Sequence, residues 1–583
     1  MEGEDFILKD VLGLFDQYVE EVTSGKQVAC VHVKDSVARH LRDLEAGEAR
    51  GIYFDRAEAR RVMEIVCHFR HTKGSFQGRY FDLQPFQAFI LGSLFGWRKK
   101  ATGKRRFKEA YIEMARKGAK SELGAAIALL LLIFDEEKGA EVTSAATTSE
   151  QAHYIFDAAH YMATCLVEDS EVMADLIDVT KYRITIPSNR SFMKALSKDR
   201  GTGNKDGGFP HGYMIDEFHA HPDDSVLSTG RTGRAGRSQA MIVITTTAGT
   251  NIGSVCFTYR TMVTQVLNGT IENDDIFGII YTLDEDDFEN WTDPATWVKP
   301  NPLLGASPTY EDMEGYVRSA LTEGGSTEVA IKTKNFNLWT TTHSFWISDH
   351  KWQRVKFDVP YDVLKGLPAL GGLDLAQTFD LAAYTLTFDV PGEVFGRPGI
   401  TIPYQKYYFW CPLDTIKDRS RRGRADYIKW ADQKLIRATP GEAIDHEKIL
   451  TDILELNDKY NIVSSAYDRA LGDFIISKLV DANMTMNKFQ QTITEFNMPT
   501  KELARRTAIK ELYHEDNIVQ RWQMGNVLIY TDSNANQKID KGKSVDKVDG
   551  PVSAVMSLGE YMTYKISYKP SVYETRGVVS MIN

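Results

Sequence analysis

The chain has 583 residues, a formal net charge of −11, 43% hydrophobic and 26% charged residues. That length exceeds one ordinary core, so two large domains with a smaller extra element are expected, in a soluble globular composition. The acidic balance argues against a protein that coats nucleic acid through bulk charge, and leaves room only for local basic tracks such as Lys99–Lys108 and Arg419–Arg424.

No apolar run is long enough for a membrane span, Ala125–Phe134 being too short, and the acidic start Met1-Glu2-Gly3-Glu4-Asp5 lacks a signal-peptide pattern. Cys30, Cys67, Cys165, Cys256 and Cys411 are scattered without a C-x-x-C pair, which excludes a zinc site or a disulfide frame and fits a reducing cytoplasm.

Residues 1–75 read as an N-terminal helical region, with amphipathic helices at Val37–Ala46 and Arg56–His68. From residue 76 short apolar strands alternate with helices: a strand over Phe107–Met114, a helix over Lys120–Phe134, a strand at Glu141–Ala146 and a helix at Glu150–Val167. Further apolar runs follow at Tyr213–Asp216, Ala240–Thr246 and Asp275–Leu283, then helices within Tyr310–Trp339. This alternation predicts a mostly parallel α/β sheet with ligands at the strand carboxyl ends. After a seam at Thr340–Trp352 a second α/β pattern begins, with strands at Ala369–Asp374, Ala382–Phe388, Lys406–Trp410 and Ile462–Tyr467. Helices are expected at Glu447–Lys459, Leu471–Asp481, Thr500–His514 and Val552–Met562, and an extended piece at Val527–Tyr530.

Met114-Ala115-Arg116-Lys117-Gly118-Ala119-Lys120-Ser121 joins the first strand to the first helix of the alternating region. A phosphate loop needs inward backbone N–H groups, a Lys for the β/γ-phosphates and a hydroxyl for Mg²⁺ at a helix start. Lys120 and Ser121 supply the last two, and the small Gly118 and Ala119 allow close approach. Met114 and Ala119 stand where the usual pattern has Gly. A methyl at Ala119 is tolerated at negative φ and costly in a left-handed turn. Gly212-Tyr213-Met214-Ile215-Asp216-Glu217 then reads as a strand ending in a Mg²⁺-holding Asp216 and a water-activating Glu217. The run Ile242–Gly249 ends a strand in hydroxyls, Thr246 among them, that would sense the γ-phosphate; taken alone it is also an ordinary β-branched strand. Arg231, Arg234 and Arg237 form a spaced basic cluster, readable as a source of an arginine finger or as a Gly/Arg loop.

The second half carries three separated acids. Asp374 ends Gly371-Gly372-Leu373-Asp374, Asp468 ends Ser465-Ala466-Tyr467-Asp468, and Asp549 precedes the last long helix at Lys547-Val548-Asp549-Gly550-Pro551. Two strand-tip acids and a helix-start acid make a ribonuclease H-like set, whose oxygen ligands suit a Mg²⁺ or Mn²⁺ pair. Each acid alone also reads as turn or cap chemistry. Lys538, Lys541, Lys543 and Lys547 lie before Asp549 and are candidates for DNA phosphate contacts.

Phe81-Asp82-Leu83-Gln84-Pro85-Phe86-Gln87, Phe95-Gly96-Trp97, the deviant phosphate loop, Ile215–His221 and Thr246-Thr247-Ala248-Gly249 stand in the order seen in large terminase subunits of tailed bacteriophages. Leu-Asp-Leu, Tyr-Asp-Arg and Val-Asp-Gly around the three acids match as well, and the chain resembles that family from about Tyr80 to Ser557. The resemblance implies a P-loop ATPase domain at 76–345, followed by a ribonuclease H-like α/β endonuclease domain at 346–583. It implies that Arg116 contacts the γ-phosphate, that Gln87 reads the adenine edge, and that Asp380, His514 and Asn517 assist the nuclease. ATP with Mg²⁺ would drive double-stranded DNA into a procapsid. A homo-oligomeric ring on the portal protein and a small terminase subunit would be its partners, in the host cytoplasm. Ala119 departs from the family, which usually has Gly before the Lys. Two rivals stand beside this reading: a cellular DNA translocase or helicase fused to a resolvase-like nuclease, and a non-catalytic assembly protein with a decayed loop.

Overall fold

The computed structural model describes residues 10–147, 149–196, 208–339, 343–375, 381–421, 425–468, 473–532 and 534–567. The chain divides into two compact units, Met1–Thr341 and Thr342–Asn583.

In the first unit the helices Val11–Ser24 and Arg56–Cys67 each bury one apolar stripe, Val31–Ala46 buries a mixed face of Val33, Ser36, Val37, His40 and Asp43, and Pro85–Gly96 is largely apolar and buried along its length. Asp10 and Asp55 cap two of them, accepting from the N–H groups of Gly13 and Glu58. Their side chains share one core with the sheet: Phe15, Val33, Met63 and Phe89 belong to the same cluster as Ile112, Leu129 and Val243.

The eight-stranded sheet runs in the order Ile276–Ile280, Glu109–Glu113, Met241–Thr246, Pro210–Ile215, Glu141–Ala145, Ser191–Ala195, Arg183–Ile186, Asp178–Thr180. The first six pair in parallel and the last two join antiparallel at the edge. Four strands expected from the sequence, at 107–114, 141–146, 240–246 and 275–283, thus lie side by side or one strand apart, and their burial, complete but for the half-buried Glu141, matches the parallel reading. The phosphate-loop strand does not touch the strand that ends at Ile215. Met241–Thr246 lies between them, so the loop and Asp216 face each other across one strand. The helix after the loop covers Lys120–Leu129 and widens into a π turn at Leu130–Phe134.

In the second unit the main sheet runs Arg437–Thr439, Thr401–Pro412, Ala382–Pro391, Pro368–Asp374, Asn461–Asp468, Met486–Phe489. Pro368–Asp374 pairs antiparallel with Ala382–Pro391 and parallel with Asn461–Asp468. That is the antiparallel meander followed by parallel additions of a ribonuclease H-like sheet. The helix Asp549–Ser567 lies on the central strand, where Ser557 Oγ donates to the Leu370 carbonyl at 2.9 Å. A small sheet pairs His343–Phe345 with Leu528–Thr531 and that strand with Gln537–Ile539.

The helix expected over Thr500–His514 is instead Ile493–Ala508, with Pro499 inside it. Thr492 caps it by accepting from Glu495 N–H, a signal that outweighs one missing hydrogen bond at the proline. His514 then falls in a short strand, Tyr513–His514, paired with Tyr404 and Gln405.

Candidate active sites

The loop after Glu113 leaves its strand buried and turns twice through left-handed backbone, at Lys117 (φ 70°) and Ala119 (φ 57°). Gly118 is packed tight: a Cβ there would stand 2.6 Å from Met114 Sδ. Met114, in the place of the usual first glycine, therefore fills the space that Gly118 leaves. Lys120 is buried, and its Nζ donates to the Met114 and Ala115 carbonyls at 2.9 and 2.8 Å. Burial draws the Lys120 ammonium down to about 8, against the opposing pull of the Glu217 and Asp216 carboxylates. Arg116 is exposed, its charge acts on both Lys120 and His219, and its N–H donates to the Lys334 carbonyl at 2.8 Å.

Ser121 Oγ lies 3.4 Å from Asp216 Oδ2, so the loop and the second strand converge as the spacing predicts. Asp216 Oδ1 accepts from Thr245 Oγ1 (2.7 Å) and Glu217 N–H (3.0 Å), and burial raises its carboxyl above the usual range. Glu217 adopts left-handed backbone (φ 49°, ψ 48°), a strained conformation that turns its side chain out of the strand direction. Its Oε2 lies 3.1 Å from His219 Nδ1. Burial and the nearby Lys120 and Arg116 charges lower His219 to about 4, so this imidazole is neutral at pH 7.

Three expectations change here. Thr246 is fully buried, and its hydroxyl accepts from His219 N–H (2.9 Å) and donates to the Thr247 carbonyl (3.0 Å). The hydroxyl that meets the acid belongs to Thr245, one residue earlier, because alternate residues of a strand face opposite sides. Gln87 is buried, and its Oε1 accepts from Gln84 N–H at 3.0 Å within the cap of its own helix. Arg231 and Arg234 pair with Glu109, and Arg237 with Glu137, so all three are engaged within their own unit. Most of the basic track Lys99–Lys108 is likewise engaged: Lys99 and Lys108 pair with Asp275, Lys100 with Glu48, Arg105 with Asp135, and Arg106 with Asp43 and Asp274.

The sequence carried no signal for what holds the loop from behind. Glu113, fully buried, accepts from Tyr111 OH, Arg260 Nε (3.1 Å), Asn337 Nδ2 (3.2 Å) and Trp339 Nε1 (3.3 Å). Asn337 also accepts from Ala248 N–H at 2.6 Å, tying the loop after the threonine strand to the same point.

In the second unit Asp374 and Asp468 each follow the paired residues Leu373 and Tyr467 on adjacent parallel strands, so the two acids leave the sheet at one level, roughly 5 Å apart in backbone. Asp549 is the first residue of the helix laid over that strand, and Gly550 N–H donates to Gln523 Oε1 at 2.9 Å. Gly372 lets the helix approach: a Cβ there would meet the Ser553 carbonyl oxygen at 2.2 Å. Asp374 is buried, and Lys541 Nζ donates to its Oδ1 and Oδ2 at 2.8 and 2.7 Å, with Gln491 Nε2 donating to Oδ1 at 3.1 Å. Burial raises the Asp374 carboxyl, Lys541 draws it back and the Asp468 charge adds to the rise. Burial alone would lower the Lys541 ammonium; the Asp374, Asp549 and Asp468 charges outweigh it and raise it. The charges of all three acids therefore act on Lys541.

They do not stand as a ready ligand set. Among the described residues no group of three or more His, Cys, Asp or Glu side chains is placed to hold a metal ion. The Lys541 ammonium engages both oxygens of Asp374. Lys541, one of the four candidates for DNA phosphate contacts, stands on Asp374. The donor set, oxygen only, suits Mg²⁺ or Mn²⁺. His514 is buried, stacked on Trp352 at 3.9 Å with Nε2 3.0 Å from the Trp352 carbonyl, and so does not face the acids. Asn517 caps the helix Ile518–Met524. Asp380 lies outside the described residues, as do 422–424 of the second basic track.

Fold and sites together define a P-loop ATPase unit followed by a ribonuclease H-like nuclease unit. Family models for the terminase large subunit match both: the ATPase domain over residues 85–264 and the endonuclease domain over 270–564. The chain belongs to the terminase large subunits, enzymes with ATPase and nuclease domains that act on DNA in packaging and use a nucleotide and divalent metal. Protein YmfN of Escherichia coli (strain K12) is 29% identical over 374 residues, 62% of this chain and 79% of that protein. The terminase large subunit of Enterobacteria phage HK97 is 24% identical over 461 residues, 77% of this chain and 86% of that protein. A crystal structure of the HK97 bacteriophage large terminase matches with a TM-score of 0.47 at 22% identity, covering 86% of this chain and 99% of that one. No helix among the described residues is long and apolar enough to cross a membrane.

Proposed function

We propose that this chain couples hydrolysis of MgATP to movement of double-stranded DNA into a procapsid, and cuts concatemeric DNA at Asp374, Asp468 and Asp549. The observation that carries it is the meeting of Ser121 with Asp216 beside the buried Lys120, together with three acids gathered at one end of a second sheet. Lys120 and the loop N–H groups hold the phosphates, with Arg116 at the outer end and Ser121 and Asp216 as the ligands for Mg²⁺. Glu217, whose Oε2 lies 3.1 Å from His219 Nδ1, takes the proton of the attacking water. At the second centre a bound Mg²⁺ or Mn²⁺ pair would supply an activated hydroxide and charge stabilisation of the leaving oxygen. The reading extends to a homo-oligomeric ring docked on a portal protein, with a small terminase subunit choosing the DNA in the host cytoplasm.

Two variants separate the halves. Glu217→Gln is expected to lower phosphate release by roughly 10²–10⁴-fold with nucleotide binding kept. Asp374→Asn is expected to abolish Mn²⁺-dependent plasmid nicking with ATPase activity intact. Wild-type phosphate release by Glu217→Gln, or undiminished nicking by Asp374→Asn, removes the corresponding half.

A further inference from the structure

We propose that Lys541 is a cation built into the acidic centre, which must leave Asp374 before a divalent ion can take that carboxylate. The inference rests on the reading of Asp374, Asp468 and Asp549 as metal ligands and goes one step further, to what occupies them in the absence of metal.

The contact is not that of a wandering surface lysine. Lys541 follows the strand Gln537–Ile539, and the chain around it is a tight turn built on Asp540. Asp540 N–H donates to the Leu528 carbonyl at 2.9 Å, and Asp540 Oδ1 accepts from the N–H groups of Gly542 and Lys543 at 3.1 Å each. Ser544 closes the turn through Oγ on the Asp540 carbonyl at 2.7 Å, and Val545 N–H is held by the Asn526 carbonyl at 3.1 Å. The turn aims one lysine of the four in this stretch at Asp374, where it engages both oxygens.

A carboxylate as buried as Asp374 needs a counter-charge, since an uncompensated one is costly. Lys541 supplies it without metal. The same ammonium then competes with any ion that needs those two oxygens, and the measured metal affinity falls by the fraction of time Asp374 is unpaired. Apart from metal, the group able to draw Lys541 away is another anion, and a DNA phosphate entering the centre is one. Metal loading and strand entry would thereby be linked, and the centre would stay quiet while DNA is absent.

The test is a Mn²⁺ titration by calorimetry on the full metal-stripped chain, without DNA. Lys541→Met is expected to bind Mn²⁺ at least about tenfold tighter than wild type, and Lys541→Gln likewise, while Lys541→Arg stays near wild type. A melting transition of the second unit equal to wild type establishes that each variant is folded. Unchanged or weaker Mn²⁺ binding by both neutral variants overturns the inference. Asp374→Asn in the same titration tests the underlying assignment: loss of the Mn²⁺ site upholds it, and retained binding overturns the ligand reading itself rather than the role of Lys541.

Discussion

At φ 57° and ψ 27°, Ala119 holds a conformation in which its methyl crowds the following carbonyl. The strain is on the order of 1 kcal/mol for an alanine and more for a β-branched side chain. It persists because Lys120, the next residue, is anchored through Nζ on the Met114 and Ala115 carbonyls, and Met114 is wedged against Gly118. The left-handed turns at Lys117 and Ala119 point successive N–H groups to one side, the backbone concavity that binds anions. Ala119→Gly should relieve the strain, part of which is lost again to the freer unfolded chain, leaving a gain of up to about 1 kcal/mol. Ala119→Val should cost about 2 kcal/mol or more and weaken ATP binding. Calorimetric melts of the two variants with nucleotide titrations check this; equal melting temperatures for glycine and valine would mean the loop does not hold that backbone.

The helix Asp549–Ser567 carries Asp549 to the strand tips only because its second turn rests on Gly372. An added methyl there meets backbone, the Ser553 oxygen at 2.2 Å and the Ser557 nitrogen at 2.4 Å, so no side-chain rotation can relieve it. Gly372→Ala should displace the helix start, cost roughly 1–3 kcal/mol and abolish Mn²⁺-dependent nicking while phosphate release stays at the wild-type rate. Full nicking by Gly372→Ala would mean that Asp549 need not sit on that strand. Elements of this kind were legible where periodicity and burial agree. The all-buried strands at 109–113, 241–246 and 276–280 read as apolar runs, and the acids at the ends of 210–215, 368–374 and 461–468 were visible as strand tips. The edge meander Asp178–Ala195 was not legible, because its outer strand alternates between exposed and half-buried residues and has no apolar run. Pro499 masked the first turns of the helix Ile493–Ala508, although Thr492 and Glu495 mark its true start. Lys541 was legible as charge but not as aim, since a turn built on Asp540 decides where the ammonium goes. Thr245 and Thr246 differ by one step of a strand, and only the observed register shows which hydroxyl meets Asp216.

Across the whole molecule, buried imidazoles are unevenly shared between the units. Burial lowers His32 to about 3 and His40 and His219 to about 4 in the first unit, while in the second His514 is lowered, also by burial. A histidine whose folded value lies below its unfolded value of about 6.5 binds protons mainly when unfolded, so stability is full above that value and drains as pH falls toward the folded one. For His40 and His219 the loss by pH 5.5 is on the order of 1 kcal/mol each, and His32 adds in the same direction. Asp216 works the other way, because its raised carboxyl takes up a proton in the folded state first. The lowered carboxyls Glu109, Asp135, Asp274 and Asp275 hold their contribution above their unfolded values near 4 and stay out of this window. In the second unit the lowered His514 is opposed by the raised Asp374. Each unit has its own core, so each has its own melting behaviour to follow. Lowering pH from 7.5 to 5.5 should therefore depress the melting transition of the first unit and leave that of the second nearly in place. Calorimetry with a nucleotide added, which by mass action raises only the transition of the unit that binds it, assigns the two peaks. His40→Asn and His219→Asn together should flatten the pH response of the nucleotide-sensitive peak, whereas an equal acid shift of both peaks in wild type would show that these imidazoles do not govern it.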